Sequence, residues 1–231
     1  MKIISVIPAR LGSKRIKDKN IVKLSGLPLI YYSIKRSLQS KLIDKTYFST
    51  DSEKYRKIAV RYGALAPFMR PKKISKDHSS DLEFMQHLIL YLEKKEKIFP
   101  EFIVHLRPTY PLREKGLIDK CINMLIKNKT FDSLRTICLS KKNIEKMWYL
   151  KKNKLYNPIT SDKELHSLPK EKLTNTYEQN NCIDILRTKS TIKKNSMTGK
   201  KILGFVMNHN FDIDDPNDLN FAKKNINKFS F

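Results

Sequence analysis

Six short runs rich in apolar residues punctuate the chain, at Ile3–Ile7, Thr46–Ser49, Phe102–Leu106, Ser133–Leu139, Ile183–Leu186 and Ile202–Met207. Between most of them the apolar residues recur at helical spacing. Pro28–Gln39 carries Ile30, Ile34 and Leu38 on one stripe, and Glu53–Tyr62 is closed by Gly63. Leu82–Lys94 and Glu114–Ile126 follow the same rule, and a last helix starts at Pro216. Strand alternating with helix predicts a three-layer α/β fold, a mostly parallel sheet covered on both faces and connected by right-handed crossovers. The rhythm fails from Ser140 to Asn181. There Trp148-Tyr149-Leu150 and Lys154-Leu155-Tyr156 flank Lys151-Lys152-Asn153 as the arms of a hairpin would, followed by polar irregular sequence. Residues 140–181 therefore read as an excursion, a dimerisation arm or lid, from one domain spanning 1–231.

The formal charge of +24, from 47 Lys and Arg against 23 Asp and Glu, invites a nucleic-acid reading. Two features weaken it. Lysine is spread over nearly every segment in company with Ile and Asn, the residues that AT-rich codons favour. No zinc finger, aromatic RNA-binding signature or basic zipper is present. A non-enzymatic basic binding module is thus the weaker alternative, although such a surface attracts anionic substrates. No run approaches the roughly 18 consecutive apolar residues of a membrane span. The opening apolar run is cut by Pro8 and Arg10 before any signal-cleavage site. The expectation is a cytoplasmic protein without membrane insertion. Cys121, Cys138 and Cys182 have neither disulfide nor zinc spacing and read as reduced thiols. The five histidines show no metal spacing, and His105, on a strand, is expected to be buried and hydrogen-bonded.

Ligands of open parallel sheets bind at the carboxyl ends of the strands. Four polar segments fall at such ends: Pro8–Asn20, Ser49–Ser52, Arg107–Arg113 and Asp212–Asp218. The first is neither a Walker A loop nor a dinucleotide fingerprint, because the second glycine of each is missing. Its Gly12-Ser13 turn would let backbone N–H groups approach a triphosphate that Arg10, Lys14 and Lys19 neutralise. On spacing alone, a solvated basic loop reads equally well. In Asp212-Ile213-Asp214, alternation puts both carboxylates on one side, as a hard cation needs. Asp215, before Pro216, suits a helix N-cap and Asp218 the first turn. Taken alone, the cluster favours capping. Asp51 reads as a cap for the helix that begins at Glu53.

Together these segments resemble the acylneuraminate cytidylyltransferases (CMP-sialic acid synthetases). The N-terminal signature of that family is matched by Ile7, Ala9, Arg10, Ser13, Lys14, Lys19 and Asn20. The match continues through Ser49-Thr50-Asp51-Ser52, Arg70-Pro71 and Arg107-Pro108-Thr109-Tyr110-Pro111-Leu112-Arg113 to Phe211–Leu219, and so covers nearly the whole chain in order. The resemblance implies a Rossmann-like nucleotidyltransferase fold and transfer of CMP from CTP to a sialic-type nonulosonic acid, a nine-carbon keto-sugar acid, with release of pyrophosphate. It also implies Arg10, Lys14 and Lys19 as catalytic cations, with Ala9, Arg10, Gly12, Ser13, Lys14, Asn20 and Arg70 on the nucleotide. Arg107, Thr109, Lys170 and Asn180 fall to the sugar, and Mg²⁺ to Asp212 and Asp214. Homodimers, with the arm reaching over the partner, belong to the same implication. Another sugar nucleotidyltransferase, such as a KDO cytidylyltransferase, is the alternative, and Lys19-Asn20 in place of Lys-Pro argues against it. Arg107 stands where glutamine is common in the family, Lys170-Glu171-Lys172 replaces an arginine-rich stretch, and Asn180-Asn181 replaces Asn-Gly. These departures bear on which sugar is used.

Overall fold

The structure, a computed structural model, describes residues 1–159 and 164–229; residues 160–163 of the excursion lie outside the described residues. In chain order the elements are β1 (Ile3–Pro8), the paired two-residue strands β2 (Lys23–Leu24) and β3 (Leu27–Pro28), α1 (Leu29–Leu38), β4 (Lys45–Ser49) and α2 (Glu53–Arg61). Next come α3 (Asp81–Tyr91), β5 (Phe102–His105), α4 (Leu117–Lys127) and β6 (Ser133–Leu139). The chain finishes with the hairpin β7 (Tyr149–Lys151) and β8 (Lys154–Tyr156), then β9 (Tyr177–Arg187), β10 (Ile202–Met207) and α5 (Pro216–Asn225).

Six strands form one sheet in the order β10-β6-β9-β5-β1-β4. β1 is parallel to both β4 and β5, and β10 is parallel to β6. Alternation along β1 divides the core as strand geometry requires. Ile3 and Ile7 pack with Ile30, Ile34 and Phe48 under α1, while Ile4 and Val6 pack with Phe84, Met85 and Leu88 of α3. The three layers expected from the sequence are therefore present. A third apolar cluster, including Leu24, Tyr32, Leu112, Ile213 and Leu219, seats α5 beside the strand ends. Among the described residues, no helix is long and apolar enough to cross a membrane.

One strand differs from the expectation. The apolar run Ile183–Leu186 is only the C-terminal part of β9, an eleven-residue strand that is antiparallel to both neighbours. Among the described residues no α-helix lies between β6 and β9, only single 3-10 turns and the hairpin, so the chain leaves β6, makes the excursion and returns in the opposite direction. Charged Arg135 and Asp184 face each other across this central pair, Nε to Oδ1 at 2.8 Å. Residues 180 to 183 bulge opposite Thr136, with Asn181 in the left-handed region at φ 59°. The bulge and the polar residues Glu178 to Asn181 hid the strand from a search for apolar alternation.

The hairpin forms where predicted. Lys152 and Asn153, at φ 46° and 62°, make the two-residue turn whose twist matches paired strands. Its side chains point away from the sheet, with Tyr149 68% and Leu150 69% exposed. The three cysteines are buried and free. His105 is buried as expected but not hydrogen-bonded; its Nδ1 lies 3.7 Å from Asp184 Oδ2, too far for a hydrogen bond. Burial, then the charges of Arg107, Arg135, Arg113 and Arg70, holds its pKa well below the ordinary histidine value.

Candidate active site

β1 ends at Pro8, and the chain then crosses the tops of β1 and β4. Ala9 N–H donates to the Ser49 carbonyl at 3.0 Å, continuing the parallel ladder by one rung. Gly12 turns the loop at φ 87°, a conformation that costs glycine nothing. Leu11 N–H donates to Asp51 Oδ1 at 2.8 Å, and Asn20 Nδ2 to the Arg10 carbonyl at 3.1 Å. Asp51 is thus the loop's anchor and not the helix cap; Ser52 caps α2, its hydroxyl accepting from Tyr55 N–H.

Below the loop lies a cavity of about 550 Å³, lined by Arg10, Ser13, Lys14, Arg15, Lys19, Asn20, Arg70 and Arg107, with Asp77, Asp81, Phe84, Thr109 and Asp214. Six cations face three carboxylates there, an excess suited to a polyanion. Asp77 spans two of the cations, 2.7 Å from Arg10 Nη1 and 2.5 Å from Lys14 Nζ. Lys19 Nζ donates to the Ile213 carbonyl at 2.8 Å and lies 3.3 Å from Asp214 Oδ1, so it ties the basic loop to the acidic segment.

Arg70 enters from the opposite wall. Its guanidinium donates to Ser49 Oγ and the Ser49 carbonyl and lies 4.9 Å from the centre of the Phe84 ring. Burial draws its pKa down to about 10, opposed by Asp51 and Asp81, so the group is still charged at neutral pH. Arg107 is clamped between two carboxylates: Nη2 donates to Asp81 and Nη1 to Asp184 Oδ2, the latter at 3.0 Å. The turn that carries Arg107 is held from inside by fully buried Arg113. Arg113 donates to the carbonyls of Arg107, Tyr110 and Cys182 and to Ser33 Oγ. Each acceptor left bare by its loss would cost about 1–3 kcal/mol.

Ile213 is buried and its N–H donates to the Thr109 carbonyl at 2.8 Å, which leaves Asp212 and Asp214 on the other side of the segment. Asp215 and Asp218 form a reciprocal cap on α5, as their spacing predicted. Asp214 reaches the cavity. Asp212 Oδ2 accepts from Asn181 Nδ2 at 2.8 Å, while its Oδ1 is buried with no partner. Asp214 lines the cavity and Asp212 does not, but the bare, buried oxygen of Asp212, two residues along the same segment, is a ligand of the kind a hard cation takes. Among the described residues no group of three or more His, Cys, Asp or Glu could hold a metal. Mg²⁺ needs no such group, since one or two carboxylates suffice when substrate phosphates and waters complete its shell.

A family profile described as Cytidylyltransferase matches residues 4–224. The chain belongs to the cytidylyltransferase family. It is 32% identical over 226 residues to the pseudaminic acid cytidylyltransferase of Campylobacter jejuni, covering 96% of this chain and 95% of that one. It is 29% identical over 231 residues to the CMP-N,N'-diacetyllegionaminic acid synthase of Legionella pneumophila, covering 97% and 96%. Among solved structures, CMP:2-keto-3-deoxy-manno-octonic acid synthetase complexed with CTP superposes with a TM-score of 0.73 over 99% of both chains, at 14% identity, a likeness of fold. Family and fold make the chain a nucleotidyltransferase, in agreement with the resemblance carried by its motifs.

In this cytidylyltransferase the residues proposed for the nucleotide converge. Arg10, Ser13, Lys14, Lys19, Asn20 and Arg70 line one cavity, while Ala9 and Gly12 shape the loop without lining it. The sugar candidates separate. Arg107 and Thr109 reach the cavity. Asn180 does not: it is buried, accepting from Thr136 Oγ1 and Cys182 N–H, and it closes the β9 bulge. Lys170 lies on the excursion, its Nζ 3.4 Å from the Lys141 carbonyl, and is not part of this cavity. Sequence reasoning missed Asp77, Asp81, Arg135 and Asp184. Asp77 sits in a polar loop that has no periodicity to read. Arg135 and Asp184 did carry a signal, because a charge inside a buried strand requires an opposite partner.

Proposed function

We propose that this cytidylyltransferase moves CMP from CTP to a nonulosonic acid of the pseudaminic, legionaminic or sialic type and releases pyrophosphate. The observation that carries this reading is the cation-lined cavity at the carboxyl ends of β1, β4 and β5, with Lys19 joining its basic loop to Asp214. An acceptor hydroxyl attacks the α-phosphorus in line, a new P–O bond forms, the bond to pyrophosphate breaks and the hydroxyl proton leaves. Such transfer depends on positioning and charge neutralisation. Arg10 and Lys14 exchange Asp77 for phosphate oxygens, and Lys19 keeps the loop in register with the acidic segment. Arg70, buried against Phe84, lines the same cavity and would hold the nucleotide from that side. Asp212 and Asp214 would hold Mg²⁺, which supplies charge neutralisation at the phosphates when bound.

The test is pyrophosphate release with a panel of pseudaminic, legionaminic and N-acetylneuraminic acids and KDO. Release with CTP and one of the first three acids is the expected result. Equal release with UTP, or turnover with KDO alone, overturns the corresponding part of the proposal.

The excursion gives the quaternary expectation. Trp148, Tyr149, Leu150, Leu155 and Tyr156 are all exposed on an isolated hairpin, which two strands alone barely stabilise in water. Apolar patches of this kind mark interfaces. We propose a two-fold homodimer in which this arm and Lys170 lie near the partner's acceptor pocket. Sedimentation should give a dimer, and the double variant Trp148→Asp, Tyr149→Asp should lose both dimer and turnover. A fully active wild-type monomer at nanomolar concentration overturns it.

A further inference from the structure

A line of side-chain hydrogen bonds runs from the end of β5 across the body of β6 and β9 and stops at Asp212. It begins at Asp81 in the first turn of α3, which accepts from Arg107. Arg107 donates to Asp184 and Arg135 Nε donates to the other Asp184 oxygen. From Arg135 the direction is uniform. Arg135 Nη1 donates to Gln179 Oε1 at 2.9 Å, Gln179 Nε2 to Asn181 Oδ1 at 3.1 Å, and Asn181 Nδ2 to Asp212 Oδ2 at 2.8 Å. A guanidinium thus feeds two amides in series that end on a carboxylate, and bonds aligned this way polarise one another.

The backbone favours asparagine at the last step. Residue 181 is at φ 59° in the bulge, where glycine fits best and asparagine is among the few side chains that follow it. Glycine would satisfy the backbone and leave Asp212 unheld. Asparagine satisfies both, and the oxygen it does not take, Asp212 Oδ1, is the one buried without a partner.

We infer that Asn181 is a positioning residue, which grips Asp212 through Oδ2 so that Oδ1 is held toward the divalent cation. Gln179 and Arg135 fix which way the Asn181 amide faces. This inference rests on the cytidylyl-transfer reading of the site and adds a residue outside its cavity. Outer-shell partners of metal ligands are worth about ten- to a hundredfold in metal affinity.

The test is Mn²⁺ titration of the full-length protein by electron paramagnetic resonance, with and without CTP. Asn181→Gly keeps the left-handed backbone and deletes the amide. It should weaken Mn²⁺ binding about ten- to a hundredfold with little change in melting temperature, and its turnover should recover as Mg²⁺ is raised. Gln179→Ala, which leaves the Asn181 amide unoriented, should show a smaller loss in the same direction. Wild-type Mn²⁺ affinity in Asn181→Gly overturns the inference. Absence of Mn²⁺ binding by the wild type with CTP overturns it together with the metal site, whereas the cytidylyl-transfer reading is judged separately by pyrophosphate release.

Discussion

Turnover should fall to background when EDTA removes divalent cations and return when Mg²⁺ is restored. Asp212→Asn should lower kcat/KM for CTP by about a thousandfold. A metal at a transferring phosphoryl group contributes several kcal/mol, and each 1.36 kcal/mol is worth about a factor of ten. Asp214→Asn should cost less, because Asp214 also pairs with Lys19 and lies within 3.9 Å of Arg15, and both cations stay in place when its charge is removed. Asp215→Ala separates capping from chemistry. It removes the cap on α5, where a lost cap costs about 1 kcal/mol, and should lower the melting temperature more than the rate. Equal turnover in excess EDTA overturns the metal assignment.

The second large effect belongs to the basic loop. Arg10→Ala and Lys14→Ala should each lower kcat/KM for CTP by about ten- to a hundredfold, since a charge-assisted bond to phosphate is worth about 1.5–3 kcal/mol. Melting temperature should hardly move. In the folded protein both cations pair with Asp77 on the surface, and exposed pairs contribute about 0–1 kcal/mol. Lys17→Ala is the control, being on the same loop but outside the cavity. A comparable loss at Lys17 would mean that the loop works only as a diffuse basic field. Arg15, which the signature does not require, lines the cavity near Asp214, so Arg15→Ala should fall between the two groups.

Much of the architecture was legible because the apolar runs of β1, β5 and β6 and the stripes of α1 and α4 obey simple periods. Helix signals were read to within a residue or two where caps are strong, as at Gly63 and Asp215-Pro216. The site's positive half was legible for a different reason: Arg10, Lys14 and Lys19 all come from the one short stretch Pro8–Asn20. Its negative half was legible only at Asp214. Asp77 and Asp81, just before and at the start of α3, and Asp184, far off in β9, belong to no motif, and only folding brings them to Arg10 and Arg107. Asp51 and Ser52 show the limit of local rules. Both are good capping residues, and the loop's need for an acceptor at Leu11 N–H decided between them. Arg113 looked like one more cation of a polar motif, yet it is a buried framework piece bonded to carbonyls.

The reversed strand β9 bears on how such a chain can diversify. Because β6 runs up the sheet and β9 comes back down, residues 140 to 176 leave and re-enter at the rim that carries the basic loop after β1. Lengthening a loop whose ends are already fixed adds little closure entropy, about 0.6 kcal/mol per doubling. That rim can therefore be rebuilt, by insertion or by exchange of the hairpin, without disturbing β1, β4 or the loop between Pro8 and Asn20. If the arm borders the acceptor, as proposed above, nucleotide chemistry and acceptor choice would be separately heritable parts of one sheet. Chimaeras that swap only residues 140 to 176 among relatives are the natural place to look for exchanged sugar preference.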